Sequence, residues 1–128
     1  MCLISSHSES VCADRDITCY KLVYPLNMDH KFRSEFREFQ YELGRTYLEV
    51  CFMRENLTRR IYKGFHSYRT IDEAVSHARP DLVLLKCVIP KGSSYFVSEK
   101  NDQYCSSRIR PVAWRRLWNG KWQEKTGK

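Results

Sequence analysis

Side chains that could bind a ligand or take part in catalysis are concentrated near the middle of the chain. They lie in the run Lys63-Gly64-Phe65-His66-Ser67-Tyr68-Arg69-Thr70. The run combines an imidazole, a hydroxyl, a glycine and two aromatic rings. Thr70 followed three residues later by Glu73 is the pattern of a capping box, in which the hydroxyl accepts from the Glu73 amide and the carboxylate returns to the Thr70 amide. Free amides and the helix dipole at a helix amino end favour anions. The run therefore predicts an anion-binding site where a strand meets a helix.

The same residue types also have a purely structural interpretation. Gly64 would satisfy a turn, Phe65 and Tyr68 would enter the core, and His66 would bond a backbone group. Residue types alone leave the binding and the structural interpretation open.

The composition bounds the class of protein. The 128-residue chain is 42% hydrophobic and 13% aromatic, which supplies one core and excludes wholesale disorder. No apolar run approaches the roughly 18 residues of a membrane-spanning helix, so no membrane partner is expected. Residues 1–7 lack the basic region and the apolar core of a secretory signal. These features predict a single cytoplasmic domain.

The cysteines and histidines do not form a metal-binding pattern. There is no Cys-x-x-Cys, and the four histidines are far from one another and from any close cysteine pair, so no metal site is expected. Cys19, Cys51 and Cys87 fall in predicted strands, which favours small buried apolar groups. A nucleophilic pair of Cys105 and His66 has no local signature to support it, and the isolated glycines exclude a phosphate-binding loop.

The positive charge is concentrated at the carboxy end. Residues 108–128 carry seven basic side chains against one glutamate, whereas the rest of the chain carries 15 basic and 14 acidic side chains. Asn119-Gly120 between aromatic segments predicts a hairpin, although the tryptophans are also spaced for one helical face. Arginines among tryptophans suit single-stranded nucleic acid as an alternative partner. The residues of this alternative site are Arg108, Arg110, Trp114, Arg115, Arg116, Trp118, Lys121 and Trp122.

Apolar and alternating runs predict a sheet with one helix. Runs rich in β-branched, aromatic or apolar residues predict strands. These runs are 17–24, 47–53, 60–68, 82–89, 94–97 and 104–110. Ile71, Ala74, Val75 and Ala78 have helical spacing, which predicts a helix over residues 71–78.

The predicted fold class is α+β, as a single domain with a mixed, largely antiparallel, curved and split sheet. An amino-terminal arm is expected over residues 1–16, the core domain over 17–112 and a basic, Trp-rich hairpin over 113–128. Residues 32–39, which carry three phenylalanines, fit either a short amphipathic helix or an aromatic-anchored loop.

Three segments together carry a family resemblance. Tyr20-Lys21 lies on the first predicted strand, Gly64–Thr70 precedes the predicted helix, and Val88-Ile89-Pro90-Lys91-Gly92 is a strand followed by a turn. This order is similar to the ADP-ribosyltransferase fold, a split, strongly curved sheet that cradles a nicotinamide dinucleotide. That family often has a tyrosine followed by arginine or histidine, an aromatic-x-Ser-Thr-Ser strand and a Pro-x-Gly turn. The resemblance spans residues 17–112 and implies NAD, ADP-ribose or a cyclic nucleotide as ligand.

The chain departs from this family at the catalytic carboxylate. Serines stand in Tyr104-Cys105-Ser106-Ser107-Arg108-Ile109 where the family places a glutamate, and Glu99 and Asp102 fall in a predicted loop. A transferase without that carboxylate lacks its main electrostatic stabiliser of the transition state. The resemblance therefore implies a nucleotide binder rather than an enzyme. The predicted ligand-binding residues are Tyr20, Lys21, Gly64, Phe65, His66, Ser67, Tyr68, Tyr104 and Ser106.

The chain is also similar to short uncharacterised proteins of bacterial phages and mobile elements. They share Met-Cys-Leu-Ile-Ser at the start and Gly-Phe-His-Ser near the middle. This likeness adds a third interpretation, an inhibitor or interaction protein with a host protein as partner. A large apolar surface patch would be its structural sign.

Overall fold

The computed structural model describes residues 3–4, 11–26, 30–34, 39–49, 52–55, 60–118 and 120–124. Within these residues it contains fourteen strands and one short helix. In chain order they are β1 (Leu3–Ile4), β2 (Val11–Cys12), β3 (Ile17–Pro25), β4 (Lys31–Ser34), β5 (Gln40–Glu42), β6 (Tyr47–Leu48), β7 (Phe52–Glu55), β8 (Arg60–Lys63), β9 (Phe65–Tyr68), α1 (Ile71–Val75), β10 (Val83–Ile89), β11 (Ser94–Val97), β12 (Gln103–Ser106), β13 (Arg108–Arg116) and β14 (Gln123–Glu124).

Strand β10 lies at the centre of the main sheet because its sequence is apolar on both faces. It pairs antiparallel with β3 on one edge and with β13 on the other. Leu84 and Leu85 are adjacent in sequence, and both are fully buried. Since successive side chains of a strand point to opposite faces, the two leucines enter different cores.

The two cores cover opposite faces of the sheet. The first core contains Cys19, Val23, Phe32, Tyr41, Leu43, Phe65, Val83, Leu85, Cys87, Ile89 and Ile109. The second core contains Leu22, Tyr68, Ala74, Leu82, Leu84 and Leu117. Helix α1 covers part of the second-core face, where Ala74 is completely buried.

The main sheet splits beside β3. Its principal strand order is β14-β13-β10-β3-β9-β12-β11-β2. On the edge of β3 that faces away from β10, Tyr20 pairs with Tyr68 of β9, whereas Val23 to Pro25 pair with β4. Strands β1, β8 and β7 form a separate three-stranded sheet. The sheet that positions the candidate site is therefore built from β3, β9, β12 and β11.

The prediction of an α+β fold is wrong, because the protein is largely all-β. Most described residues lie in antiparallel strands, and helix α1 has only five residues. After Val75 the amides of His77 and Ala78 bond to carbonyls three residues back, which is the tighter geometry of a helix end. The Ser76 hydroxyl also bonds the carbonyl of Glu73. The helix predicted over residues 71–78 therefore ends early.

The described part of the segment with three phenylalanines consists of the end of β4 and of Phe39, which comes directly before β5. Phe32 is buried on β4, which pairs with β5. Phe36 lies outside the described residues. The ring of Phe39 packs between Tyr41 and Phe65, with centroids 4.9 and 5.7 Å away. The helical alternative for this segment is therefore wrong over β4.

Both ends of the chain add short strands. In the predicted arm, β1 pairs with β8 and β2 pairs with β11. At the carboxy end, β14 pairs antiparallel with β13. Trp114 packs on the first core and Trp122 on the second, so the tryptophans do not share one helical face. Across the described ranges, α1 is too short to span a membrane.

Candidate functional site

Strand β9 carries the predicted chemical residues into the sheet between β3 and β12. It pairs with β12 along its length and with β3 at one position. Phe65 belongs to the first core and Tyr68 to the second. Because side chains alternate along a strand, Ser67 lies on the first-core side and His66 on the second-core side. The structure therefore does not bring His66 and Ser67 to one site.

The ammonium group of Lys21 is engaged inside the protein. Its Nζ donates to the main-chain oxygen of His66 and lies 5.5 Å from the centroid of the Tyr41 ring. Burial raises the pKa of the Cys19 thiol to about 11 and that of Cys87 well above its usual range, and the nearby Lys21 charge offsets only part of each rise. Lys21 therefore ties β3 to β9 within the first-core face.

Several other predicted ligand residues are core residues. Phe65 and Tyr68 are 3% and 8% exposed, and the Tyr68 ring stacks on His77 with centroids 5.1 Å apart. Ser67 and Ser106 are also buried. The hydroxyl of Ser106 has no hydrogen-bond partner among the residues that the structure describes. Phe65 and Tyr68 thus follow the structural interpretation.

Gly64 and Tyr20 likewise support the fold. Gly64 has a φ of 122°, in the region that favours glycine, and it joins β8 to β9. The Tyr20 ring lies on the second-core face, where its centroid is 6.3 Å from that of Trp122. Tyr20 does not lie beside Ser67, because the two side chains point to opposite faces of the sheet.

A cleft opens on the first-core face beside Tyr104. Its volume of about 540 Å³ lies within the range of small-molecule sites. Its walls come from the segment before β3, the start of β3, the end of β9 and the β11–β12 hairpin. The lining residues are Asp14, Arg15, Asp16, Ile17, Thr18, Arg69, Tyr95, Val97, Asn101 and Tyr104. The cleft therefore joins segments that are far apart in sequence.

Arg69 is fixed at the wall of this cleft. Its amide donates to the Asp102 carbonyl at 2.9 Å, and its Nη1 donates to the Asn101 carbonyl at 3.4 Å. Burial raises the pKa of the Tyr104 hydroxyl above its ordinary value, and the charge and hydrogen bond of Arg69 offset part of that rise. Tyr104 therefore keeps its proton at neutral pH.

Local hydrogen bonds hold the other walls in place. The rings of Tyr95 and Tyr104 meet edge to face, with centroids 5.8 Å apart. The Asp16 carboxylate accepts from the Lys91 amide at 2.8 Å. In the β11–β12 turn, the Ser98 hydroxyl donates to the Asp102 carboxylate at 2.7 Å. These contacts preorganise a polar cleft with an aromatic side.

Glu99 and Asp102 are the two carboxylates that lie near the expected catalytic glutamate in sequence. Glu99 lies in the exposed turn after β11, and the Asp102 carboxylate is bonded to Ser98. Ser106 and Ser107, which the sequence resemblance aligns with the family's glutamate, stand at the end of β12. In the described part of the chain, no group of three or more His, Cys, Asp or Glu side chains is arranged to hold a metal ion.

The residues of the predicted nucleic-acid site separate into several environments. Trp114 packs against Phe32, with ring centroids 5.7 Å apart. Arg108, at the start of β13, donates to the Lys91 carbonyl at 3.4 Å. Arg110 is half-buried. The remaining members lie toward the end of the chain on or after β13. They are Arg115, Arg116, Trp118, Lys121 and Trp122.

Sequence reasoning found one residue of the cleft and missed most of the others. Tyr104 was predicted through the family resemblance, and it lines the cleft. Arg69 lies at the end of the central run but was not assigned a role. Arg15, Thr18 and Tyr95 were missed because nothing in their local sequence indicates that they converge.

Comparison with protein-family models, with curated proteins and with solved structures found no match to this chain.

Proposed function

We propose that the protein binds a small nucleotide in the cleft beside Tyr104. The observation that carries the proposal is that Arg15 and Arg69, two aspartates and two tyrosines line one space of about 540 Å³. A nucleotide offers a matching set of groups, because it joins an anionic phosphate to a hydroxylated sugar and a flat base. The ligand class is that of NAD, ADP-ribose or a cyclic nucleotide.

Each part of a nucleotide has a matching group in the cleft. Arginine suits phosphate because its planar guanidinium offers paired donors. The Arg69 side chain already bonds the Asn101 carbonyl and the Tyr104 side chain, so less conformational entropy is lost when it binds. The Asp14 carboxylate supplies an acceptor for ribose hydroxyls. The edge-to-face pair of Tyr95 and Tyr104 supplies an apolar wall for the base.

We propose binding rather than group transfer. Ser106, which the sequence resemblance aligns with the family's glutamate, is buried, and a hydroxyl does not stabilise a developing positive charge as a carboxylate does. Asp16 lines the cleft, but its carboxylate already accepts from a main-chain amide. These features support a protein that sequesters or senses its ligand.

A cytoplasmic location is part of this proposal. Cys12, Cys19, Cys87 and Cys105 are free thiols. Cys19 and Cys87 lie directly opposite each other on β3 and β10, yet they are not joined. Unpaired cysteines so placed are typical of a reducing compartment.

A thermal-shift screen with NAD, ADP-ribose and a cyclic dinucleotide tests the proposal. A ligand at about 100 times its dissociation constant stabilises the native state by roughly 2.7 kcal/mol. For a chain of this size we expect Tm to rise by on the order of 10 °C. The ligand should be recovered intact after incubation, because the proposal includes no transfer chemistry.

Arginine variants locate the binding site. Arg15→Ala should reduce the ligand-induced rise in Tm, because it removes a cleft cation that is exposed and whose loss leaves the core intact. Arg45→Ala is the matched control, since Arg45 is an exposed arginine outside the cleft lining. An unchanged Tm with every nucleotide, or an equal loss in both variants, would refute binding at this cleft.

A further inference from the structure

On the sheet face opposite the cleft, two cations flank one tryptophan. Lys86 Nζ lies 5.4 Å from the ring centroid of Trp122, and the guanidinium carbon of Arg115 lies 5.1 Å from it. Tyr20 packs beside the same ring. Trp122 is half-buried, so part of this arrangement faces solvent. The contacts hold two positive charges at fixed positions on an aromatic surface.

The exposed groups beyond β13 extend this arrangement. Trp118 is 68% exposed, an unusual state for so large an apolar ring. Lys121 is also exposed. Arg116 is exposed as well, but it pairs with Val83 of the first core and therefore points to the other face of the sheet. Gly120 lies beside the end of β13, where a Cβ would be in ordinary van der Waals contact with the Arg116 amide nitrogen at 3.5 Å. We define the basic aromatic surface as Lys86, Arg115, Trp118, Lys121 and Trp122.

A second cation–aromatic group lies further along the same face. The guanidinium carbons of Arg33 and Arg79 lie 4.5 and 5.6 Å from the ring centroid of Tyr24. Tyr24 is four residues from Tyr20 on β3, on the same face, so the two rings are separated by about 13 Å. Asp81 lies 3.9 Å from Arg79 and offsets part of its charge.

We propose that the basic aromatic surface binds single-stranded nucleic acid. Its fixed cations match a phosphate backbone, and its exposed tryptophan offers a face on which an unpaired base can stack. The two components favour a single strand over a duplex, in which the bases already stack on one another. The surface lies across the sheet from the nucleotide cleft, so neither proposal depends on the other.

Fluorescence anisotropy with a labelled oligothymidylate tests this proposal, because thymidine runs do not form competing structure. The affinity of the 128-residue chain should fall steeply between about 50 and 200 mM salt. Trp118→Ala should weaken binding by roughly 5- to 150-fold through lost stacking, with the salt dependence unchanged. Lys121→Ala should reduce the slope of log affinity against log salt by about 0.7.

Lys100→Ala is the matched control, because Lys100 is an exposed lysine in the β11–β12 turn near the cleft. Lys100→Ala removes the same charge, and its slope of log affinity against log salt should equal that of wild type. Equal effects of Lys100→Ala and Lys121→Ala would show that binding depends only on the net charge of the protein, and would refute a defined surface. An unchanged affinity in Trp118→Ala, or tighter binding of a duplex of the same sequence, would also overturn the proposal. All variants should keep the wild-type Tm, since the substituted side chains are exposed.

Discussion

At the scale of single residues, the most constrained chemical groups are the opposed thiols of the first core. Cys19 and Cys87 are register partners on β3 and β10, and both are completely buried. Burial disfavours the thiolate, which raises the pKa of Cys19 to about 11 and that of Cys87 well above its usual range. Both thiols therefore stay protonated and unreactive at neutral pH.

This burial predicts a loss of stability in alkali. The unfolded chain releases the Cys19 proton near pH 9.0 whereas the folded protein holds it to about 11, so the folded state binds more protons in that window. The contribution is complete below about pH 9 and is lost as the pH rises toward about 11, with a total of about 3 kcal/mol. Denaturant unfolding under reducing conditions measures it.

Cys19→Ala isolates this contribution from the other groups that titrate in alkali. The difference in unfolding free energy between wild type and variant should be constant between about pH 6 and 8 and should shrink above about pH 9. A difference that does not change up to about pH 11 would show that the folded protein ionises Cys19 as easily as the unfolded chain.

At the scale of elements, the start of α1 combines a predicted and an unpredicted contact. The Glu73 amide donates to the Thr70 hydroxyl at 3.2 Å, as the capping box predicts. The Glu73 carboxylate, however, accepts from that hydroxyl at 3.0 Å, whereas the sequence pattern predicts a bond to the Thr70 amide. The cap therefore depends on one hydroxyl with two roles.

Removing that hydroxyl should destabilise the protein by about 1 kcal/mol, the usual cost of losing a helix cap. Thr70→Ala should show this decrease in chemical denaturation, because the amide of Glu73 loses its acceptor. Thr70→Ser keeps the hydroxyl and should remain close to wild type. If the serine variant lost as much stability as the alanine variant, the methyl group of Thr70 rather than its cap would be responsible.

The sequence predicted individual elements better than their arrangement. β3, β10 and β11 lie where β-branched and apolar runs place strands, because such runs bury well in a sheet. The helix was predicted too long because spacing does not show where tighter turns begin. The cleft was largely unforeseen because Arg15, Arg69 and Tyr95 meet only through the strand order β3-β9-β12-β11. That order depends on long-range pairing, which residue types do not encode locally.

At the scale of the whole molecule, one sheet carries both proposed binding sites on opposite faces. The proposed nucleotide cleft borders the first core, and the proposed nucleic-acid surface borders the second. Strands β3 and β10 contribute to both cores through alternate side chains. A change in the packing of either face therefore alters the contacts of the same two strands.

This sharing predicts that the two cores unfold together. Leu84 and Leu85 are both completely buried, one in each core. Leu84→Ala and Leu85→Ala should each lower the free energy of unfolding by about 2–5 kcal/mol, the range for leucine truncation in a core. Tryptophan fluorescence and far-ultraviolet circular dichroism should report one coincident transition in both variants. If the cores were independent, Leu84→Ala would separate the transitions, because only the second core would unfold early. The shared strands argue against that outcome, because both cores lose buried side chains of β10 once that strand leaves the sheet.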